Sequence, residues 1–99
     1  MNVKFKDGTI KSCTAPIEQK IFKNSEAAGW ILLFNLTGKI TSDELDTLLT
    51  TENVSELTFL VDDEAIAVLK NYNKITSSII RYADNDENIK TEIQLTKGV

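Results

Sequence analysis

The chain has no histidine, one cysteine, one proline and one arginine in 99 residues. Each shortage excludes chemistry. Without His, the Ser-His and Cys-His nucleophile pairs have no base. With Cys13 alone, no zinc-ligand pattern can be written. Cys13 also forms no internal disulfide, so the chain is not a cross-linked secreted scaffold. It reads as a small, partly buried hydrophobe. The scattered Gly8, Gly29, Gly38 and Gly98 give neither a P-loop nor a dinucleotide fingerprint. No apolar run approaches the ~20 residues of a membrane-spanning helix. The longest are Trp30 to Phe34 and Ala65 to Leu69. The opening Met1-Asn-Val-Lys-Phe-Lys-Asp-Gly8 lacks the apolar segment of a secretory signal, so the expected location is the cytoplasm.

What is present fits one globular domain over residues 1–99. The apolar share is 41%, the charged share 26% and the net charge −4. That is too apolar for a disordered chain. It is also too acidic for the basic footprint of a nucleic-acid binder. Arg81 is the only arginine among 11 basic residues. Ile, Thr, Asn and Lys are abundant, a composition typical of AT-rich coding sequence.

The pattern predicts an α+β fold, mostly antiparallel, with six or seven strands and one short helix. Val3 and Phe5 alternate with Lys4 and Lys6, then Asp7-Gly8 precedes Thr9 to Cys13. A two-residue type I′ turn at Asp-Gly would pair Phe5 with Ile10 on the core face and Lys4 with Lys11 on the other. Opposed lysines read as a splayed, solvated pair, or as a small cationic platform for an acidic partner. Ile17 to Phe22 reads as a third strand and Asn24 to Gly29 as a loop. Trp30, Leu32, Phe34 and Leu36 share one face of a strand whose other face, Ile31, Leu33 and Asn35, is also largely apolar. Such a strand is expected to be central and covered on both sides, and in so small a domain one cover could be a partner chain.

The helix signal is clear. Thr41 and Glu44 form a capping box, and Ile40 and Leu45 a hydrophobic staple. Leu45, Leu48 and Leu49 then give a core-facing stripe over 42–50. A strand meander follows: Leu57 to Val61, a turn at Asp62-Asp63, residues 64–72, Ile75 to Tyr82, and Ile89 to Leu95 after a hairpin loop. Residues 64–72 are ambiguous. Ile66, Leu69 and Tyr72 suit a helix, while Ile66, Val68 and Tyr72 suit the favoured strand.

Candidate chemical sites are few. Asp84, Asp86 and Asn88 have the spacing that opens a calcium loop. However, Ile89 replaces its turn glycine and Leu95 its closing carboxylate, so no metal site is expected. Lys74 and Ser78 would share a strand face at about 13 Å, too far for a dyad. Asp62, Asp63 and Glu64 fall in a turn, where carboxylates are solvated rather than tuned. The expectation is therefore no enzyme and no cofactor. Function is expected to lie in contact surfaces. The edges are the hairpin Val3 to Cys13 and the strand Ile89 to Leu95. The candidate anchors are Trp30 and Tyr72, for both of which core packing is the favoured reading, together with Lys4 and Lys11.

Four stretches carry a family likeness: Val3-Lys-Phe-Lys-Asp-Gly-Thr9, Leu36-Thr-Gly-Lys-Ile-Thr-Ser-Asp-Glu-Leu45, Tyr72-Asn-Lys-Ile-Thr-Ser77 and Ile93-Gln-Leu-Thr-Lys97. In these the chain resembles small proteins encoded by phages and prophages of low-GC Gram-positive bacteria. The resemblance implies a virion- or tail-associated structural or assembly protein, self-associating or docking on a larger complex. The alternative is a small inhibitor or adaptor that binds a host protein through acidic patches at Asp62–Glu64 and Asp84–Glu87. Neither reading involves nucleic acid or membrane.

Overall fold

The computed structural model describes residues 1–82, 85 and 88–99. The chain runs β1 (Asn2–Lys4), β2 (Ile10–Ser12), β3 (Ile17–Lys23), β4 (Glu26–Thr37), α1 (Ser42–Leu48), a 3-10 turn (Asn53–Ser55), β5 (Glu56–Val61), β6 (Glu64–Lys70), β7 (Lys74–Arg81) and β8 (Lys90–Gly98). The fold is α+β, with eight strands among the described residues rather than six or seven. They form two antiparallel four-stranded sheets, ordered β2-β1-β5-β6 and β3-β4-β8-β7.

The alternation in the sequence explains the core. Val3, Leu57 and Phe59 are buried from the first sheet, and Leu32, Phe34, Leu36, Ile93 and Leu95 from the second. Each such side chain stabilises the fold by about 1.5–3 kcal/mol. The rings of Phe34 and Phe59 meet edge to face across the sheets, with centroids 5.4 Å apart. The outer side of β4, with Ile31, Leu33 and Asn35, is only half-buried. β4 is therefore central within its sheet but not covered on both sides.

The helix follows its cap. Thr41 Oγ1 accepts the Glu44 N–H at 3.1 Å and donates to Glu44 Oε1 at 3.1 Å. Ile40 and Leu45 are both buried, as a hydrophobic staple requires. The helix ends at Leu48, earlier than the expected residue 50. Leu49 lies outside helical geometry (ψ 67°), although its N–H still donates to the Leu45 carbonyl.

The turns differ from expectation in an instructive way. Asp7-Gly8 is not a two-residue type I′ turn, because only Gly8 has positive φ. The Gly8 N–H donates to the Phe5 carbonyl and the Phe5 N–H to the Thr9 carbonyl, closing a three-residue loop with Gly8 in the left-handed position. This shifts the pairing by one residue, to Val3 opposite Lys11 and Lys4 opposite Ile10. A one-residue slip exchanges faces. Ile10 thus lies exposed instead of pairing with Phe5, and Lys4 no longer opposes Lys11. The type I′ geometry appears instead at Asn24-Ser25 and Asp62-Asp63, where both residues have positive φ. The expected loop over residues 24–29 therefore shrinks to two residues, and Glu26 to Gly29 belong to β4. Asp62-Asp63 joins β5 to β6, and residues 64–70 are a strand, as favoured.

The C-terminal meander is split between the sheets. β5 and β6 lie in one and β7 and β8 in the other, with Asn71 to Asn73 crossing between them. β8 lies between β4 and β7, so it is not the edge expected of it. A second crossing follows β2. Cys13 bridges to Leu36, and the Thr14 N–H donates to the Asn35 carbonyl at 2.9 Å. Gly29 is required where β4 meets β8, because a Cβ there would collide with the Lys97 carbonyl oxygen.

Candidate interaction surfaces

Of the four side chains singled out in the sequence, the structure brings none together as a patch. Tyr72 sits in the β6–β7 crossing with 0% of its surface exposed. Its hydroxyl donates to Glu18 Oε2 at 2.5 Å, and Lys97 Nζ lies 4.6 Å from its ring centroid. Burial, then the neighbouring Glu18, pushes the Tyr72 hydroxyl pKa well above its ordinary value. Tyr72 is a core residue and unavailable to a partner. Trp30 is half-buried against the core on the inner side of β4, opposite Lys20 on one side and Lys97 on the other. Lys20 Nζ stands 5.2 Å from the Trp30 ring centroid. That cation–π contact already occupies a face of the indole.

Lys4 and Lys11 part company because of the shifted register. Lys4 lies exposed, between Ile10 on β2 and Thr58 on β5. Lys11 faces the helix, where its Nζ is 3.4 Å from Glu44 Oε2. The Thr41 hydroxyl first, then Lys11, holds the Glu44 carboxyl below its usual pKa. A cationic platform of these two lysines is not built. Cys13 is buried, and desolvation raises its thiol pKa to about 11. It is thus a poor nucleophile in this environment.

Asp62 and Asp63 form the exposed β5–β6 turn, with exposed Glu64 beginning β6. Asp84 and Asp86 of the calcium-like spacing lie outside the described residues, as does Glu87 of the second acidic stretch. Among the described residues, no three His, Cys, Asp or Glu side chains gather into a possible metal site. No helix among them is long and apolar enough to cross a membrane.

What the surface does offer is exposed apolar side chains on the outer sides of both sheets. On the first sheet, Ile10, Lys4, Thr58 and Val68 form one cross-strand row, and Ile66 lies exposed two residues before Val68 on β6. On the second sheet, Ile17 and Leu33 share a row with Gln94, and Gln19 and Ile31 share the next with Thr96. Ile17 is 55% exposed. Four strands lie at edges: β2, β3, β6 and β7. The edge role of the N-terminal hairpin is therefore realised by β2. The apolar outer rows are legible in the sequence only once the register is known.

One buried polar residue was not foreseen. Asn53 is 6% exposed. Its Nδ2 donates to the Leu48 carbonyl at 2.7 Å, and its Oδ1 accepts the Asp7 N–H at 2.9 Å. Its own carbonyl accepts the Lys6 N–H at 3.1 Å. It thus ties the end of the helix to the β1–β2 loop. No signal near Asn53 distinguishes it from an ordinary loop asparagine.

Compared with protein-family models, curated proteins and solved structures, the chain matches none.

Proposed function

We propose that this protein acts without catalysis, by contact with other protein, as a structural or assembly component of phage or prophage origin. The observation that carries the reading is the set of exposed or half-exposed apolar side chains on the outer sides of both sheets. Ile10, Ile66 and Val68 stand on one sheet, and Ile17, Ile31 and Leu33 on the other, beside strand edges that pair with no strand on their outer side among the described residues. Apolar side chains grouped on a sheet are a contact surface. Free edges add a backbone template. The sequence likeness to small phage and prophage proteins supplies the setting.

Size exclusion with light scattering at rising concentration, and co-sedimentation with phage tails and capsids, test this. Species heavier than the 11.1 kDa monomer, or pelleting with the particles, are expected. A monomer at every concentration that stays in the supernatant overturns it.

A further inference from the structure

We infer that β3 is the interface through which two copies of this chain pair, edge to edge and antiparallel, about a two-fold axis at Gln19. This rests on the contact function proposed above and names its partner.

The four edges are not equivalent. β2 has three residues, and the chain turns into the other sheet directly after it. β6 and β7 each carry a bulge on the edge strand itself: Ile66 is the extra residue between the pairs Leu60–Ala65 and Phe59–Ala67, and Thr76 the extra one between Ile75–Leu95 and Ser77–Gln94. Bulged edges resist further pairing. In the β3–β4 pair the extra residue is Ala28, which belongs to β4. β3 is therefore long and regular. It is also exposed at all seven of its positions, unlike any other strand in the fold.

Its sequence is self-complementary in this register. Pairing about Gln19 sets Ile17 opposite Ile21 of the second copy and Glu18 opposite Lys20, twice each by symmetry. Directly opposed residues share a face of the sheet. Glu18 and Lys20 lie on the inner face, across from Leu32 and Trp30. Ile17, Gln19 and Ile21 lie on the outer face. Ile17 and Ile21 are 55% and 36% exposed. Glu18 accepts from the Tyr72 hydroxyl and Lys20 stands over the Trp30 ring, but neither has an ion-pair partner among the described residues. Pro16, with no N–H to give, ends the ladder just before Ile17. The product is a continuous eight-stranded sheet. On its outer face the Leu33–Ile17 row continues across the axis into Ile21 of the second copy, and Gln19, beside Ile31, meets its own symmetry mate. Such an isologous contact closes on itself and yields a dimer, not a fibre.

Charge reversal tests the register. In Glu18→Lys two cations meet across the axis, because Lys20 of the second copy now faces a lysine. In Lys20→Glu two acids meet. Each variant alone is therefore expected to dimerise roughly tenfold or more weakly. Mixed together, the two variants are expected to form a heterodimer, because each remaining contact between Glu18→Lys and Lys20→Glu chains can again be of opposite sign. The double variant E18K/K20E is expected to recover the homodimer. Light scattering reads the masses, and thermal melts confirm that each variant is folded. Recovery on mixing cannot arise from misfolding. A wild-type dimer unaffected by either single change, or variants that fail to recover on mixing, overturns the β3 interface while leaving a contact function standing. A monomeric wild type that still co-sediments with phage particles overturns the interface alone. A monomer that does not co-sediment overturns both.

Discussion

Replacing Asn53 should reveal how much of the fold depends on one buried amide. In Asn53→Ala the Leu48 carbonyl loses a buried partner at 2.7 Å and the Asp7 N–H a partly buried one at 2.9 Å. An orphaned buried group costs about 1–3 kcal/mol, and a lost, partly solvated bond about 0.5–1.5 kcal/mol. The expected loss is therefore about 2–4 kcal/mol, a large share of the 5–15 kcal/mol typical of a domain. With a urea slope near 2 kcal/mol/M, the unfolding midpoint should fall by about 1–2 M with the slope unchanged. Asn53→Asp sharpens the test. It keeps the acceptor for Asp7 but turns the group facing Leu48 into a second acceptor. Burial raises the folded pKa of such a carboxyl above its unfolded value of about 3.9. The neutral acid can still donate to Leu48. Stability is thus retained below the unfolded pKa and lost as pH rises toward the folded one. The deficit relative to wild type should be smaller at acid than at neutral pH. A loss under about 0.5 kcal/mol in the alanine variant, or a pH-independent deficit in the aspartate variant, would refute the role given to Asn53.

Three further outcomes are expected. Thr91 is fully buried and its hydroxyl is the buried side-chain polar atom that lacks a partner among the described residues. Thr91→Val should therefore stabilise by about 1 kcal/mol in urea unfolding, and a loss of stability would contradict this. Gly29→Ala drives a methyl into the Lys97 carbonyl at a backbone φ of +155°, and should lower the melting point by about 10 °C or more. A near-normal melt would show that the β4–β8 pair can yield there. At alkaline pH the unfolded chain ionises Cys13 near 9 while the folded thiol holds its proton to about 11, and Tyr72 is shifted upward in the same sense from 10. Stability should be fully present below pH 9 and decline from there, the Cys13 contribution being lost by about pH 11 and that of Tyr72 continuing to fall above it. Cys13 should stay unreactive to a thiol reagent at pH 8 until denaturant is added; rapid labelling of the folded protein would contradict its burial.

The parts of the fold legible in the sequence are those governed by local rules. Thr41 and Glu44 announce the helix because cap and carboxylate sit within one turn. The alternation of Leu32, Phe34 and Leu36 announces an inner sheet face, and Asp62-Asp63 between short apolar runs announces a hairpin. What escaped is set by distant partners. The Lys6 and Asp7 N–H groups bond to Asn53, 46 residues beyond Asp7, and that anchorage accompanies the longer loop that shifts β2 by one residue. The placement of β8 between β4 and β7 is likewise a matter of which sheet each hairpin joins, which a period-two pattern does not encode. Among the candidate anchors, Trp30 and Tyr72 were legible as large aromatics. That Tyr72 is wholly buried while Trp30 is only half-buried follows from Tyr72 lying in the Asn71–Asn73 crossing between the sheets. The self-complementarity of β3 was present in its letters, but became meaningful only when β3 proved to be an edge.

The passage of the chain from Ser12 to Thr14 has a mechanical consequence. One short run of backbone belongs to the first sheet through β2 and to the second through the Cys13–Leu36 bridge and the Thr14–Asn35 bond. Neither layer can be peeled away without tearing hydrogen bonds from the other. Pulling on the molecule from its ends should therefore give a single rupture rather than two.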